Sequence, residues 1–254
     1  MSENPSGSTE KQSSAPAAPA SSDENEPSPD TYALLETTAN LVIHFLGGLY
    51  VQGEENVPAS GPVLLVSNHV SYLDPCSIGV ASPRRVVFMA KAELFEHPVL
   101  SFLLRGVDSF PVRRGEADRN AFRTTLTMLE EGRVICIFPE GTRSSDGNLT
   151  EAEPGAALFA IRTGCPVVPV YVSGSNKMLT HAGKIRVGKI TVAFGEAFHL
   201  SRKTGRDEGG KLLMDAIAQT RDKYVGLPAR RIGPHWFHKP LEGSRAVAPR
   251  RKPQ

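Results

Sequence analysis

Val63-Leu64-Leu65-Val66-Ser67-Asn68-His69-Val70-Ser71-Tyr72-Leu73-Asp74 is the stretch that decides how this chain folds. Gly61-Pro62 interrupts what precedes it, and an unbroken apolar run follows. A strand wet on one face alternates apolar with polar residues. A run without alternation belongs to a strand covered on both faces, as in the sheet of an α/β domain. The run ends in polar residues, and the chain then connects into a helix. Ligands bind outside the carboxyl ends of such strands, so His69 and Asp74 stand where chemistry is expected. An imidazole titrates near neutral pH and can take a proton from a hydroxyl. A carboxylate behind it fixes the tautomer and stabilises the charge that forms. The pair is two thirds of a nucleophilic triad. No serine stands in a recognisable nucleophile setting, so the simplest reading is that the substrate brings its own hydroxyl.

Outward from this stretch the pattern repeats. Arg85–Ala90, Arg133–Phe138 and Pro166–Val172 read as further buried strands, and Ile185–Phe194 as a hairpin-like strand pair. Between them lie helical periods. Asp118 is an N-cap for a helix carrying Phe122, Leu126 and Leu129 and ending at Gly132; a second runs from about Gly155 to Arg162 before Gly164; a third spans Gly209 to Tyr224. Strands alternating with helices predict an α/β fold, a single domain with a mixed, largely covered β-sheet flanked by helices.

The ends differ from the middle. Residues 1–30 are rich in Ser, Pro and Ala, carry six acids against Lys11 and contain no aromatic residue. Such a segment buries too little to offset its ordering entropy and is expected to be disordered. It has no apolar core for a secretory signal, and its acids suit a transit peptide poorly. Residues 31–228 form the expected domain, opening with an apolar helix over 31–52. Its dozen apolar residues would span roughly 18 Å as a helix against a bilayer core of about 30 Å, so it is read as packed or interfacial rather than spanning. Residues 229–254 carry seven Lys/Arg against Glu242 and hold the only tryptophan, Trp236. Basic residues interleaved with aromatics suit an anionic membrane surface. No nucleic-acid motif accompanies the charge, so nucleic acid is not an expected partner. Cys76, Cys136 and Cys165 have no paired spacing and read as reduced core thiols, with no metal site among them.

Four short blocks stand in order: Asn68-His69-Val70-Ser71-Tyr72-Leu73-Asp74, Gly106–Gly115, Phe138-Pro139-Glu140-Gly141-Thr142-Arg143-Ser144, and Val167-Val168-Pro169-Val170. Together they resemble the motif blocks of the glycerolipid acyltransferases, the 1-acylglycerol-3-phosphate (lysophosphatidic acid) acyltransferase family, over roughly residues 45–225. The His-x4-Asp pattern alone is weak, and the Phe138–Ser144 block downstream makes it specific. The resemblance implies that His69 is the general base and Asp74 its orienting partner, with no acyl-enzyme. It implies that Lys91, Arg114, Glu140, Gly141, Thr142 and Arg143 bind the phosphate and glycerol of the acceptor, and that Pro169 contacts the acyl donor or acyl chain. Guanidinium forks match phosphate oxygens. Glu140 would repel phosphate, so it is expected to accept from a glycerol hydroxyl or to pin Arg143. Arg113 stands where many family members carry an acid, and alignment through Gly115 favours Arg114 as the phosphate contact. Thr142 and Ser144 are candidate donors to phosphate or to an oxyanion.

The implied reaction moves a fatty acyl group from a thioester, acyl-CoA or acyl carrier protein, to the sn-2 hydroxyl of 1-acylglycerol 3-phosphate, giving phosphatidic acid. No metal or tightly bound cofactor is implied. The partners are a lysophospholipid, the acyl donor and a membrane surface, with the protein peripheral or monotopic on the cytoplasmic side. Another acceptor, such as glycerol 3-phosphate, a larger-headed lysophospholipid or an ornithine-type lysolipid, is the alternative within the class. A lipid hydrolase needs a nucleophile, and the sequence has no Gly-x-Ser-x-Gly elbow; Ser173-Gly174-Ser175 does not match it. A non-catalytic lipid-binding module would not need His69 and Asp74 intact.

Overall fold

The structure, a computed structural model, describes residues 29–98, 101, 104, 109–112, 118–180 and 182–233. Most of residues 1–30, Arg113 and Arg114, and the sequence from Pro234 onward lie outside the described residues. Helix α1 spans Pro29–Phe45 and leads into strand β1, Leu49–Gln52. Strand β2 is Val63–Ser67, helix α2 Asp74–Ala81, strand β3 Val86–Lys91 and strand β4 Ser109–Val112. Helix α3 (Arg119–Glu130), strand β5 (Val134–Ile137), helix α4 (Leu158–Thr163) and strand β6 (Val167–Ser173) follow. The short helix α5 (Ser175–Met178), strand β7 (Ile190–Phe194), helix α6 (Arg206–Tyr224) and strand β8 (Arg230–Ile232) complete the order.

Among the described residues the strands form one eight-stranded mixed sheet in the order β4-β3-β5-β2-β6-β7-β1-β8. β2 pairs in parallel with both β5 and β6, and β3 with both β5 and β4. β7 runs antiparallel to β6, β1 runs parallel to β7, and β8 closes the edge antiparallel to β1. The apolar run that opened the sequence reading is the centre of the sheet: Val63, Leu64, Leu65 and Val66 are fully buried. Their side chains alternate between two cores. Val63 and Leu65 join Ile78 of α2 and Ile43 of α1 on one face, while Leu64 and Val66 join Leu129 of α3, Ile161 of α4 and Leu213 and Ile217 of α6 on the other. The α/β class and the covered sheet agree with the sequence reading.

Local signals also hold. The Asp118 carboxylate accepts from the backbone N–H groups of Asn120 and Ala121 at the start of α3, satisfying donors a helix leaves open. Gly164 ends α4 at φ +68°, a left-handed conformation that favours glycine. Burial pushes the thiols of Cys76, Cys136 and Cys165 up, so they pack as neutral groups.

Three boundaries differ from the sequence reading. The expected helix over 31–52 stops at Phe45, because Gly47 and Gly48 take φ of +128° and +108° and turn the chain into β1. A side chain on Gly47 would run into the carbonyl of Gly188. The expected strand pair over 185–194 is one strand: only Ile190–Phe194 enters the sheet, while Ile185 makes a single bridge to Leu179. Before that strand the Gly188 N–H meets the turn after α1 instead, donating to the Leu46 carbonyl at 2.7 Å. Finally, the sheet continues past residue 228. Arg230–Ile232, grouped with the basic tail by charge, is a strand because Ile232 is buried opposite Leu49.

Candidate active site

β2 leads through α2 to β3 across one face of the sheet, and β5 leads through α4 to β6 across the other. These two strands are neighbours. Their connections diverge, so a crevice opens at their carboxyl ends, the topological position where α/β sheets bind ligands. The loop after β2 carries His69 and the loop after β5 carries Phe138–Ser144.

Asn68 prolongs β2 with its side chain. Its Nδ2 donates to the Val172 carbonyl at 2.9 Å and its Oδ1 accepts from the Val172 N–H at 2.7 Å, so the amide imitates one more ladder residue. This sets where His69 leaves the sheet. His69 Nδ1 then lies 2.8 Å from Asp74 Oδ2. The same oxygen accepts from the backbone N–H groups of Val70 and Ser71, both at 2.7 Å, and Asp74 Oδ1 accepts from the Ser175 hydroxyl at 2.5 Å. Asp74 is fully buried. A carboxylate surrounded by donors requires a donor at His69 too. Nδ1 therefore carries the proton, which leaves the Nε2 lone pair as the base. Phe138 stacks on the imidazole with centroids 4.0 Å apart and planes inclined at 20°, and the His69 side chain keeps 11% exposure. The ring is held from behind and on one face.

The third block is clamped onto this loop. The Ser144 N–H donates to the His69 carbonyl at 2.8 Å. Glu140 is buried, and both oxygens are bonded within the protein: Oε1 accepts from the His69 N–H at 3.1 Å, while Oε2 accepts from the Thr150 N–H at 3.2 Å and its hydroxyl at 2.9 Å. Through these bonds Glu140 braces the two loops. Gly141 turns the chain at φ +67°. Thr142 is exposed, and the Arg143 guanidinium lies over the Tyr72 ring, 3.6 Å from its centroid. The Ser144 hydroxyl donates to Asp146 Oδ1 at 2.9 Å and accepts from the Gly147 N–H, so it shapes the turn. Bonds from the Asn148 N–H, from its side-chain amide and from Ser144 hold the Asp146 carboxyl down at about 2.

Lys91 ends β3 at the same edge of the sheet, in register with Val112 of β4, and pairs with Glu93 at 3.1 Å. The chain runs on from Val112 into Arg113 and Arg114, which lie outside the described residues. Pro169 is placed elsewhere. It occupies the buried middle of β6, on the side-chain face of Val167 and Tyr171, and packs with Gly195 and Thr220 under α6. Its missing N–H has a backbone reason. The pairing Val170↔Phe194 slips by one residue to Val167↔Phe198, and proline is tolerated at such a bulge. Pro169 therefore packs on the face opposite α2.

Ser175 was missed in the sequence. Its neighbours do not form a nucleophile elbow, and its hydroxyl donates to Asp74 instead. A strand followed by Gly-Ser at the carboxyl edge of the sheet is the signal that would have found it. Thr150 and the stacking role of Phe138 were missed as well.

Residues 48–173 match the family model described as Acyltransferase, so the chain carries an acyltransferase domain over that span. It is 29% identical over 171 residues to a 1-acyl-sn-glycerol-3-phosphate acyltransferase of Bacillus subtilis, covering 66% of this chain and 82% of that protein. It is 32% identical over 161 residues to the beta 1-acyl-sn-glycerol-3-phosphate acyltransferase of Homo sapiens, covering 62% of this chain and 58% of that one. It spans 38% of a chloroplastic relative from Brassica napus. The crystal structure of the 1-acyl-sn-glycerophosphate acyltransferase PlsC from Thermotoga maritima shares the fold, with a TM-score of 0.64 and 24% identity over 77% of this chain and 81% of that one.

Proposed function

We propose that the protein transfers a fatty acyl group from an acyl thioester, acyl-CoA or acyl carrier protein, to the sn-2 hydroxyl of 1-acylglycerol 3-phosphate, giving phosphatidic acid. The observation that carries this reading is the His69–Asp74 pair: a 2.8 Å contact with the proton assigned to Nδ1 and the Nε2 lone pair left as the base. The acceptor hydroxyl gives its proton to Nε2 as its oxygen attacks the thioester carbonyl. The tetrahedral adduct collapses by breaking the C–S bond, and the thiolate takes the proton back from the imidazolium. Asp74 stabilises that imidazolium, and base catalysis of this kind contributes about 10²–10⁴ in rate. The substrate supplies the nucleophile, so no acyl-enzyme forms.

Arg143 beside the His69 loop, Lys91 on the same sheet edge and Arg114 further along the chain from Val112 supply the cations for the acceptor phosphate. Gly141 and Thr142 lie on the same loop as Arg143 and would line the glycerol. The reaction needs no metal. The substrates are amphiphilic, so the enzyme works at a membrane surface, peripheral or monotopic on its cytoplasmic side. No helix among the described residues is long and apolar enough to cross a membrane.

One further acceptor has a specific observation behind it. A relative in Pseudomonas aeruginosa, 29% identical over 143 residues, is a lyso-ornithine lipid O-acyltransferase. The test is purified protein with each lysolipid and each donor, the product being read by mass. Phosphatidic acid from lysophosphatidic acid is the expected product. Acylation of lyso-ornithine lipid alone would replace the acceptor, and release of free fatty acid without acceptor would refute acyl transfer to a lipid.

A further inference from the structure

Isolated exposed apolar side chains are ordinary on a protein surface; clustered ones mark a contact. Val42 and Phe45 on the last turn of α1 are 50% and 76% exposed, and Ile185 and Val187 on the loop before β7 are 66% and 80% exposed. The two elements touch, since the Gly188 N–H donates to the Leu46 carbonyl at 2.7 Å. Lys184 and Arg186 alternate with the loop's apolar residues and are exposed, giving a cationic rim.

Strand directions then locate the cluster. Ser173 at the carboxyl end of β6 is in register with Thr191, so the loop before β7 emerges at the edge of the sheet that carries His69. Leu49 at the start of β1 is in register with Ile190, which puts the end of α1 there too. The last turn of the catalytic loop is tied to the same loop: the Ser71 hydroxyl donates to the Leu179 carbonyl at 3.3 Å, and Leu179 bridges Ile185. Ile232, where β8 ends, pairs with Leu49. The chain therefore leaves the sheet at this edge, and the sequence beyond it, residues 234–254, adds five Lys/Arg against Glu242, with Trp236 and Phe237.

We infer that this edge is the membrane-docking face. Ile185 and Val187 form a prong that enters the interfacial region of an anionic bilayer beside the end of α1, with Lys184 and Arg186 on the lipid headgroups. The inference deepens the proposed function, because it orients the His69 crevice toward the surface from which a lysolipid arrives. Positive charge and apolar tips on one edge fit an anionic lipid surface, which rewards both.

The test is co-sedimentation of the full-length protein with phosphatidylcholine–phosphatidylglycerol vesicles and with phosphatidylcholine alone. Ile185→Ser/Val187→Ser weakens partitioning by about tenfold or more, since each loses a side chain from the interface. Lys184→Ala/Arg186→Ala weakens it by about fivefold per charge on the phosphatidylglycerol vesicles only. Val225→Ser/Leu227→Ser is the control. Those residues are 64% and 54% exposed at the other end of β1, where Gln52 donates to the Leu227 carbonyl, and their loss leaves binding unchanged. Acyl transfer to a short-chain, water-soluble lysophosphatidate is measured in parallel and stays intact in every variant. Its absence in wild type would strike the functional reading and leave the docking result standing. Wild-type partitioning by the prong variant, an equal loss in the control, or a defect confined to a carrier-protein donor with vesicle binding intact would each overturn the inference.

Discussion

Replacing Glu140 separates a brace from a substrate contact. Its carboxylate accepts three hydrogen bonds, one from the His69 N–H and two from Thr150. Their environments differ: His69 is buried, whereas Thr150 is exposed and can turn its donors to water. Glu140→Gln keeps an oxygen for the His69 N–H, and its amide can donate to the Thr150 hydroxyl. Only the Thr150 N–H loses its partner, so the stability cost is expected below about 1.5 kcal/mol. Glu140→Ala removes the acceptor of a buried N–H and is expected to cost about 1–3 kcal/mol more. The loop that aims the imidazole then loosens, so kcat falls while the KM for the lysolipid stays near wild type. Urea unfolding gives the first quantity and steady-state kinetics with lysophosphatidate the second. An alanine variant of wild-type stability with KM raised tenfold or more would show that the carboxylate faces the acceptor, and the bracing argument would be wrong.

Ser175→Ala deletes the hydroxyl on Asp74 Oδ1. Hydrogen bonds to charged groups are worth about 1.5–3 kcal/mol, so a loss of that size in urea unfolding is expected, with a smaller fall in kcat because the Val70 and Ser71 N–H bonds remain. Arg143→Lys keeps the charge but gives up the planar stack on Tyr72, worth about 0.5–1 kcal/mol at an exposed site; a KM rise of a few-fold for the phosphorylated acceptor, with kcat unchanged, is the expected kinetic signature. Asp146 supplies a pH dependence. Its carboxyl is held at about 2 against an ordinary 3.8, so its contribution is full above about pH 4 and is lost as pH falls toward 2. The urea midpoints of wild type and Asp146→Asn, distinct at neutral pH, are expected to converge over that window.

Burial was the most legible property of the sequence. Val63–Val66, Val134–Ile137 and Val167–Val172 announce covered strands because nothing polar interrupts them, and Asp118 announces a helix start by its own chemistry. Short edge strands were not legible. Leu49–Gln52 continues an apolar helix in composition, and only the pair Gly47-Gly48 marks the break. Arg230–Ile232 is a three-residue strand hidden among basic residues, and one buried isoleucine is too little periodicity to reveal it. In the site, the His69–Asp74 contact was legible because the two partners are local in sequence. Ser175, 101 residues beyond Asp74, reaches it only through the pairing of β2 with β6. Glu140 was legible as a motif residue, while its bonds to the His69 N–H and to Thr150 were not, since charge alone does not say which donors a carboxylate meets.

The account rests on His69 as the base for a substrate hydroxyl. Its most direct test is kcat/KM for acyl transfer to lysophosphatidate by His69→Ala, with the fold confirmed by unfolding in urea. The expected result is a loss of about 10²–10⁴ in a folded protein. A folded His69→Ala protein with wild-type kcat/KM would contradict the mechanism outright.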